Sequence, residues 1–428
     1  MTFFPQKILG VPLLRHGAVV ALVLTMAACG GSGPSGSGGA AVRLSYTGVG
    51  ALGIFDPAVT LDPANSRVWM GYSAVDPVTN SAQRSPWGVG IRLGYTDNTG
   101  TAWVDAGTVS ALSEVTVTGP ISFEPGEPEI PSGDTRLGIW QSETSTVIYD
   151  PNVDVPPGES WKMLYHRVMW ANNYPYYVSY SWIEMKQAST AAGLAAAIPV
   201  KLFGGSLIKS DATSMTNTAA PISGLPAFTL HTKDGELNNC GLFGEPSLLA
   251  TSDTLYMALD CQDVSGTSVV PYIVMFKCTS PCNMATYNDA NAPNATSWTY
   301  LGRVTTPTDA AAINSKYKGL SAPALTTQGG KYYLVTTPVE PVLINNVLEN
   351  RYDGCRVYEF ADLANGLLRR NGMGQLLPPM ARVNGFSNTH HGACAHHAAL
   401  SKGILHSQLE INNPPEIFRI YQSGVNIP

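Results

Sequence analysis

Charge is scarce in this chain of 428 residues. Asp, Glu, Lys and Arg together make up 13%, with 25 basic residues against 31 acidic ones and a formal net charge of −6. A chain this poor in Lys and Arg lacks the basic surface that recognition of a phosphate backbone requires, which excludes nucleic acid as a partner. Helix signals are also few, limited to short Ala-rich stretches at 191–197 and 361–369. After Cys29 no apolar run is long enough to cross a bilayer as a helix. The Gly-rich stretch 30–39 has neither the strand before it nor the helix after it that a dinucleotide site needs. Gly (42) and Pro (31) are abundant instead, with many Ser and Thr. That is the composition of a turn-rich all-β protein outside the cytoplasm.

The first 41 residues read as targeting and tether. Lys7 and Arg15 precede an apolar run from Gly17 to Ala28, which ends Met26-Ala27-Ala28-Cys29. Small residues before a Cys resemble the lipobox of bacterial lipoproteins, which implies lipidation at Cys29. Residues 1–28 are then a signal peptide, 29–41 a lipidated Gly/Ser linker and 42–428 the folded domain, anchored to the outer membrane or cell surface through the lipid alone.

Residues 42–428 carry a fivefold pattern, about 77 residues per repeat. The openings are Asp56-Pro57-Ala58-Val59, Asp150-Pro151-Asn152-Val153, Glu245-Pro246-Ser247-Leu248, Ala322-Pro323-Ala324-Leu325 and His397-Ala398-Ala399-Leu400. A short break and a second apolar, aromatic-rich run follow each opening, as in Trp69-Met70-Gly71-Tyr72 and Tyr332-Tyr333-Leu334-Val335. Strand, turn and strand repeated five times predicts a single five-bladed β-propeller. Equivalent points of the blades converge on one axis, so Asp56, Asp150 and Glu245 are expected in one pocket. A desolvated carboxylate must be paired, protonated or used. The plainer reading is that Asp-Pro starts a turn, as at Asp62-Pro63 and Asp76-Pro77. Three acids at matched positions favour a site.

Setting Cys29 aside leaves six cysteines of the seven, an even number that suits an oxidising compartment. Local placement pairs Cys240 with Cys261, Cys278 with Cys282 and Cys355 with Cys394. A metal site at Cys278/Cys282 is the rival reading.

Taken in order, the acids at 56, 150 and 245 and the His at 397 resemble the five-bladed propeller glycosidases of the arabinanase/xylosidase type, family 43, and their fructosidase relatives. Phe55-Asp56-Pro57-Ala58-Val59 is similar to their opening signature. The resemblance implies two-carboxylate hydrolysis of a glycan. Asp56 is the expected base or nucleophile, Glu245 the acid, and Asp150 the group that tunes the acid's pKa and positions the sugar. His397 or its neighbour His396 is expected at the axis, His397 beside a structural cation such as calcium and His396 against substrate. No cofactor is required. Phe55, Phe243 and Trp170 are candidate stacking platforms for sugar, with blade packing as their alternative role. The expected ligand is an oligo- or polysaccharide and the expected state a monomer.

Two other readings stay open. One is a non-catalytic sugar- or partner-binding surface propeller. The other is a sialidase-like hydrolase, because the segment 96–103 resembles the Asp-box turn of sialidase propellers. Such an enzyme needs an arginine cluster, for which Arg67, Arg84, Arg92, Arg136, Arg167 and Arg356 are the candidates. The stretch His390-His391-Gly392-Ala393-Cys394-Ala395-His396-His397 reads as an axial His or a loop cluster shaping the pocket, not as a zinc or haem site.

Overall fold

A computed structural model describes residues 41–47, 51–77, 87–97, 102–118, 132–152, 155, 158–171, 178–204, 230–263, 269–279, 298–344, 347–385, 391–409 and 417–428. Cys29, Cys282, Arg84 and His390 lie outside these residues.

The chain forms a five-bladed β-propeller. Blade one is built from the strands Gly53–Leu61, Val68–Pro77, Trp87–Thr96 and Ala102–Ser110, counted from the axis outward. Blade two uses Thr135–Tyr149, Trp161–Ala171, Val178–Ala188 and Val200–Gly204. Blade three uses Cys240–Ala250, Thr254–Asp263, Val270–Thr279 and Thr299–Arg303. Blade four uses Gly319–Gln328, Lys331–Ile344 and Cys355–Asp362, with Ala381–Val383 at its edge. Blade five takes His391–Ala395, Leu405–Leu409 and Phe418–Gln422 from the C-terminal part of the chain, and its outer strand is Val42–Arg43. The first described strand therefore closes the ring on the last, and each blade keeps only short edges.

The alternation of the strands explains the closure. Each strand sends successive side chains to opposite faces, and each face packs on a different neighbour. On the second strand of blade one, Trp69 joins Ile91, Val147 and Met163 between blades one and two. Val68 and Met70 join Leu405 and Ile420 between blades five and one. Ile148 and Leu164 meet Leu248 and Met257 between blades two and three. Tyr256 and Ile273 meet Leu325 and Leu334 between blades three and four. Val335 and Val357 meet Cys394 and Ile404 between blades four and five. These are five separate cores, one at each junction.

Two of the expected disulfides are present, Cys240–Cys261 and Cys355–Cys394, with Cα separations of 5.4 and 6.0 Å. The second ties the third strand of blade four to the inner strand of blade five. Cys278 is also disulfide-bonded, which removes it as a metal thiolate.

Three expectations are corrected. The inner strand of blade two is Thr135–Tyr149, so Asp150-Pro151 is the turn that follows it. His397-Ala398-Ala399-Leu400 is likewise a turn after His391–Ala395. The Ala-rich stretches yield only the 3-10 turns Ala192–Ala195 and Leu363–Asn365. Among the described residues the α-helix is Pro307–Ile313, started by a capping box between Thr306 and Asp309 with Pro at its first turn.

Candidate active site on the propeller axis

The five inner strands share one local distortion. Asp56, Thr144, Glu245, Ala322 and Ala393 all have left-handed backbone, with φ of 51, 49, 50, 52 and 50°. In each blade the pairing register with the second strand slips at that residue. This is a β-bulge with a non-Gly residue at positive φ, a conformation that costs on the order of 1–3 kcal/mol and persists only where its surroundings impose it. Five copies at equivalent points show that the fold imposes it. The bulge turns its residue toward the axis. A cavity of about 40 Å³ lies there, lined by the bulge residue and the two residues after it in blades one to four and by Ala393 and Cys394 in blade five. It is large enough for ordered water.

The ring brings together two of the three predicted acids. Asp56 and Glu245 both stand at bulge positions and both line the cavity. Asp150 does not reach it. The blade-two bulge is Thr144, six residues earlier in the chain. Asp150 lies past the strand's far end, where its Oδ2 pairs with Lys162 Nζ at 2.9 Å and its Oδ1 accepts the Asn152 N–H at 3.1 Å. It is a buried turn residue with its own counter-ion. His397 stands four residues beyond the blade-five bulge, and its Nδ1 accepts the Ala399 N–H at 3.1 Å. Neighbouring His396 is buried, and burial pushes its imidazole down to about 4. Among the described residues no group of three His, Cys, Asp or Glu side chains is arranged to hold a metal.

Two of the three aromatic platforms, Phe55 and Phe243, pack elsewhere. Phe55 packs on Phe418 at 5.1 Å in a core with Val75 and Val168. Phe243 is fully buried between blades two and three. Neither ring lines the axial cavity, because each packs between blades. Trp170 lies on the second strand of blade two.

Sequence reasoning missed Glu143, the residue just before the Thr144 bulge. It is buried, and its charge is, after burial itself, the largest effect raising Asp56 above the usual carboxylate range. Burial pushes Glu143 up to about 8. Asp56 is raised well above the usual carboxylate range, with the Ser73 hydroxyl and the Thr144 backbone N–H pulling the other way. Its Oδ2 accepts from Ser73 at 3.3 Å, while Oδ1 is buried without a hydrogen-bond partner. Glu245 is raised by burial and by the charges of Asp260 and Asp56. Its Oε2 accepts the Ala322 N–H at 2.6 Å and the Ser321 hydroxyl at 2.9 Å, and its Oε1 accepts the Tyr352 hydroxyl at 3.3 Å. No Lys or Arg lines the cavity. Several buried acids in one site with no Lys or Arg among its described lining residues cannot all be ionised.

A stability profile follows from the raised Glu143. Its folded value of about 8 lies above the unfolded value, about 4.5, so the native state binds the extra proton between those limits. Stability then falls as pH rises through that window. Glu143→Gln is expected to flatten the decline between about pH 5 and 8 in chemical unfolding at stepped pH. A variant with the wild-type slope would show that Glu143 is not a protonated buried acid.

No protein-family model and no curated protein sequence matches the chain. Among solved structures it is similar to a thermostable family-43 glycoside hydrolase, at 13% identity and a TM-score of 0.45, over 88% of this chain and 91% of that one. It is similar to an arabinanase of Bacillus subtilis at 10% identity and a TM-score of 0.42, over 87% and 93%. A family 117 glycoside hydrolase of the marine bacterium Zobellia galactanivorans aligns at 9% identity and a TM-score of 0.43, over 90% of each chain.

Proposed function

We propose that the axial site hydrolyses glycosidic bonds. The observation that supports this reading is the convergence of Asp56 and Glu245 from separate blades at matched bulges, with Glu143 beside Asp56. Two-carboxylate hydrolysis needs one protonated and one ionised carboxyl facing the same bond. A buried cluster of acids supplies that inequality, because the first ionisation raises the affinity of the remaining acids for their protons. Asp56 acts as base or nucleophile and Glu245 as the acid. Glu143 acts on Asp56, whose proton affinity its charge raises. The substrate is an oligo- or polysaccharide. As part of the same proposal the protein is a monomer outside the cytoplasm, held to the membrane by lipid on Cys29. The disulfides Cys240–Cys261 and Cys355–Cys394 support an oxidising compartment.

One observation favours a non-catalytic sugar-binding propeller as the second reading: Asp56 and Glu245 are only 5% and 7% exposed. The sialidase-like reading loses support. Of the six candidates, the four with described side chains lie away from the axial cavity: Arg67 pairs with Asp97, Arg92 with Asp105, Arg167 bonds Ser113 and Ser142, and Arg356 bonds the Cys355 and Val383 carbonyls, while the side chains of Arg84 and Arg136 lie outside the described residues. The full chain, purified in detergent, should be incubated with nitrophenyl pentosides, hexosides and fructosides and with plant and microbial polysaccharides. Release of sugar from at least one supports hydrolysis. Oligosaccharide binding without release from any transfers the site to the binding reading.

A further inference from the structure

Blade four sends a side chain into the axial site that no repeat marks. Its second strand, Lys331–Ile344, runs past the inner strand, whose pairing stops at Val339, and pairs there with Val347–Tyr352, Val339 opposite Tyr352. Tyr352 is buried in one cluster with Val339 and the bulge residues Ala322 and Ala393. Small residues at these two bulges leave room for an aromatic ring where blades one and three place acids. A Cβ at Gly392 would come within 2.8 Å of the Tyr352 Cβ, so a glycine there lets blade five close on this side chain.

The ring carries its hydroxyl to Glu245. Glu245 Oε2 accepts the Ala322 N–H at 2.6 Å and the Ser321 hydroxyl at 2.9 Å. Tyr352 Oη lies 3.3 Å from Glu245 Oε1 and 3.4 Å from Ser321 Oγ. Each carboxyl oxygen has two acceptor sites, and both on Oε2 are taken, so the proton of a neutral Glu245 sits on Oε1. Each hydroxyl has one proton to give. With Glu245 ionised, Ser321 donates to Oε2 and Tyr352 to Oε1. With Glu245 protonated, Oε1–H donates to Tyr352, Tyr352 to Ser321 and Ser321 to Oε2. That is a closed cycle in which every proton has an acceptor. Rotation of the Tyr352 O–H about its C–O bond converts one arrangement into the other.

We propose that Tyr352 is a positioning residue whose hydroxyl proton turns between Ser321 Oγ and Glu245 Oε1, so that Glu245 is hydrogen-bonded both as an acid and as a carboxylate, and Oε1 is the oxygen that gives up the proton. In hydrolysis, attack at the anomeric carbon expels the leaving oxygen with the bonding electron pair. The Oε1 proton passes to that oxygen, the Tyr352 proton turns to Oε1, and the charge left on Glu245 meets a donor already in place. The groups facing Glu245 are Asp56 from blade one, Asp260 from its own blade, and Ser321 and Tyr352 from blade four. From blade two, His166 lies beside Gly244, and Glu143 faces Asp56. The kinetic part of this inference rests on the hydrolase reading. The turning proton does not.

The test uses the full chain in detergent with ¹³C at the tyrosine ζ carbon, whose chemical shift reports the hydrogen bonding of the hydroxyl. Tyr352→Phe identifies the Tyr352 resonance. Burial and the charge of Glu245 hold the Tyr352 phenol well above its usual range, so its own ionisation lies outside the titration. The Tyr352 resonance is expected to step as Glu245 titrates, and the step should vanish in Glu245→Gln. In Tyr352→Phe, kcat/KM on natural glycans should fall about 10- to 100-fold, and on nitrophenyl glycosides less than about threefold, because those depart with little acid assistance. A Tyr352 resonance that stays flat through the Glu245 titration overturns the turning proton. An equal loss on both substrate classes removes Tyr352 from the acid step and leaves it a packing residue. A step that vanishes in Glu245→Gln, in a protein that cleaves no glycoside, keeps the turning proton and removes the hydrolase reading.

Discussion

Asp56→Asn is expected to abolish hydrolysis of every glycoside, activated or not, with a loss of about 10³-fold or more in kcat/KM, because water activation or direct attack is needed whatever the leaving group. Glu245→Gln keeps the size and most of the hydrogen bonding of the side chain but cannot donate a proton. Its loss should depend on the leaving group: about 10²- to 10⁴-fold on natural glycans, and far less on nitrophenyl glycosides that depart unaided. Both variants should stay folded, since neither side chain belongs to any of the five junction cores. A plot of log kcat/KM against leaving-group pKa for wild type and both variants checks this. Parallel lines for wild type and Glu245→Gln would remove Glu245 from the acid role. Unchanged rates in Asp56→Asn would remove the axial site from the chemistry altogether.

The second large effect is on stability. Asp150 and Lys162 form an ion pair in which both side chains are 2% exposed. Removing one partner strands the other as an uncompensated buried charge, which costs about 3–5 kcal/mol. Asp150→Ala should therefore unfold at much lower denaturant. The double variant Asp150→Leu/Lys162→Met should recover most of the loss, because buried pairs replaced by apolar side chains are often neutral. Activity per folded molecule should be unchanged in both, with no shift in the pH profile, since Asp150 is remote from the axial ring. A displaced profile in a folded Asp150 variant would return this residue to the site.

Asp150 also shows how far the repeat pattern could be read. Blades one, three and four carry Pro directly after the bulge, as Asp56-Pro57, Glu245-Pro246 and Ala322-Pro323. There the spacing found the right residues. Blades two and five have Thr144-Ser145 and Ala393-Cys394 instead. The pattern slid to the next turn with similar chemistry, at Asp150-Pro151 and at His397-Ala398. Asp and Pro are favoured in turns for local reasons that have nothing to do with an axis. Glu143, His166 and Asp260 carry no local motif. They leave one weak signal, because His166 and Asp260 follow Met163-Leu164-Tyr165 and Met257-Ala258-Leu259, apolar runs in which a titratable residue is out of place. Ser73 and Thr337 occupy the matching points of their own repeats.

By itself the sequence determined the architecture: five repeats, all-β, two of the disulfides, and Asp56 and Glu245 as paired acids. Those properties follow from periodicity and spacing, which are local or repeat along the chain. Tertiary structure alone decided which residues share the axis. A bulge shifts the register of a strand by one residue and turns side chains from an interblade face to the channel. Closing the ring through Val42–Arg43 then brings together positions 56, 143, 245 and 260, whose burial and mutual charge exist only once the blades have met.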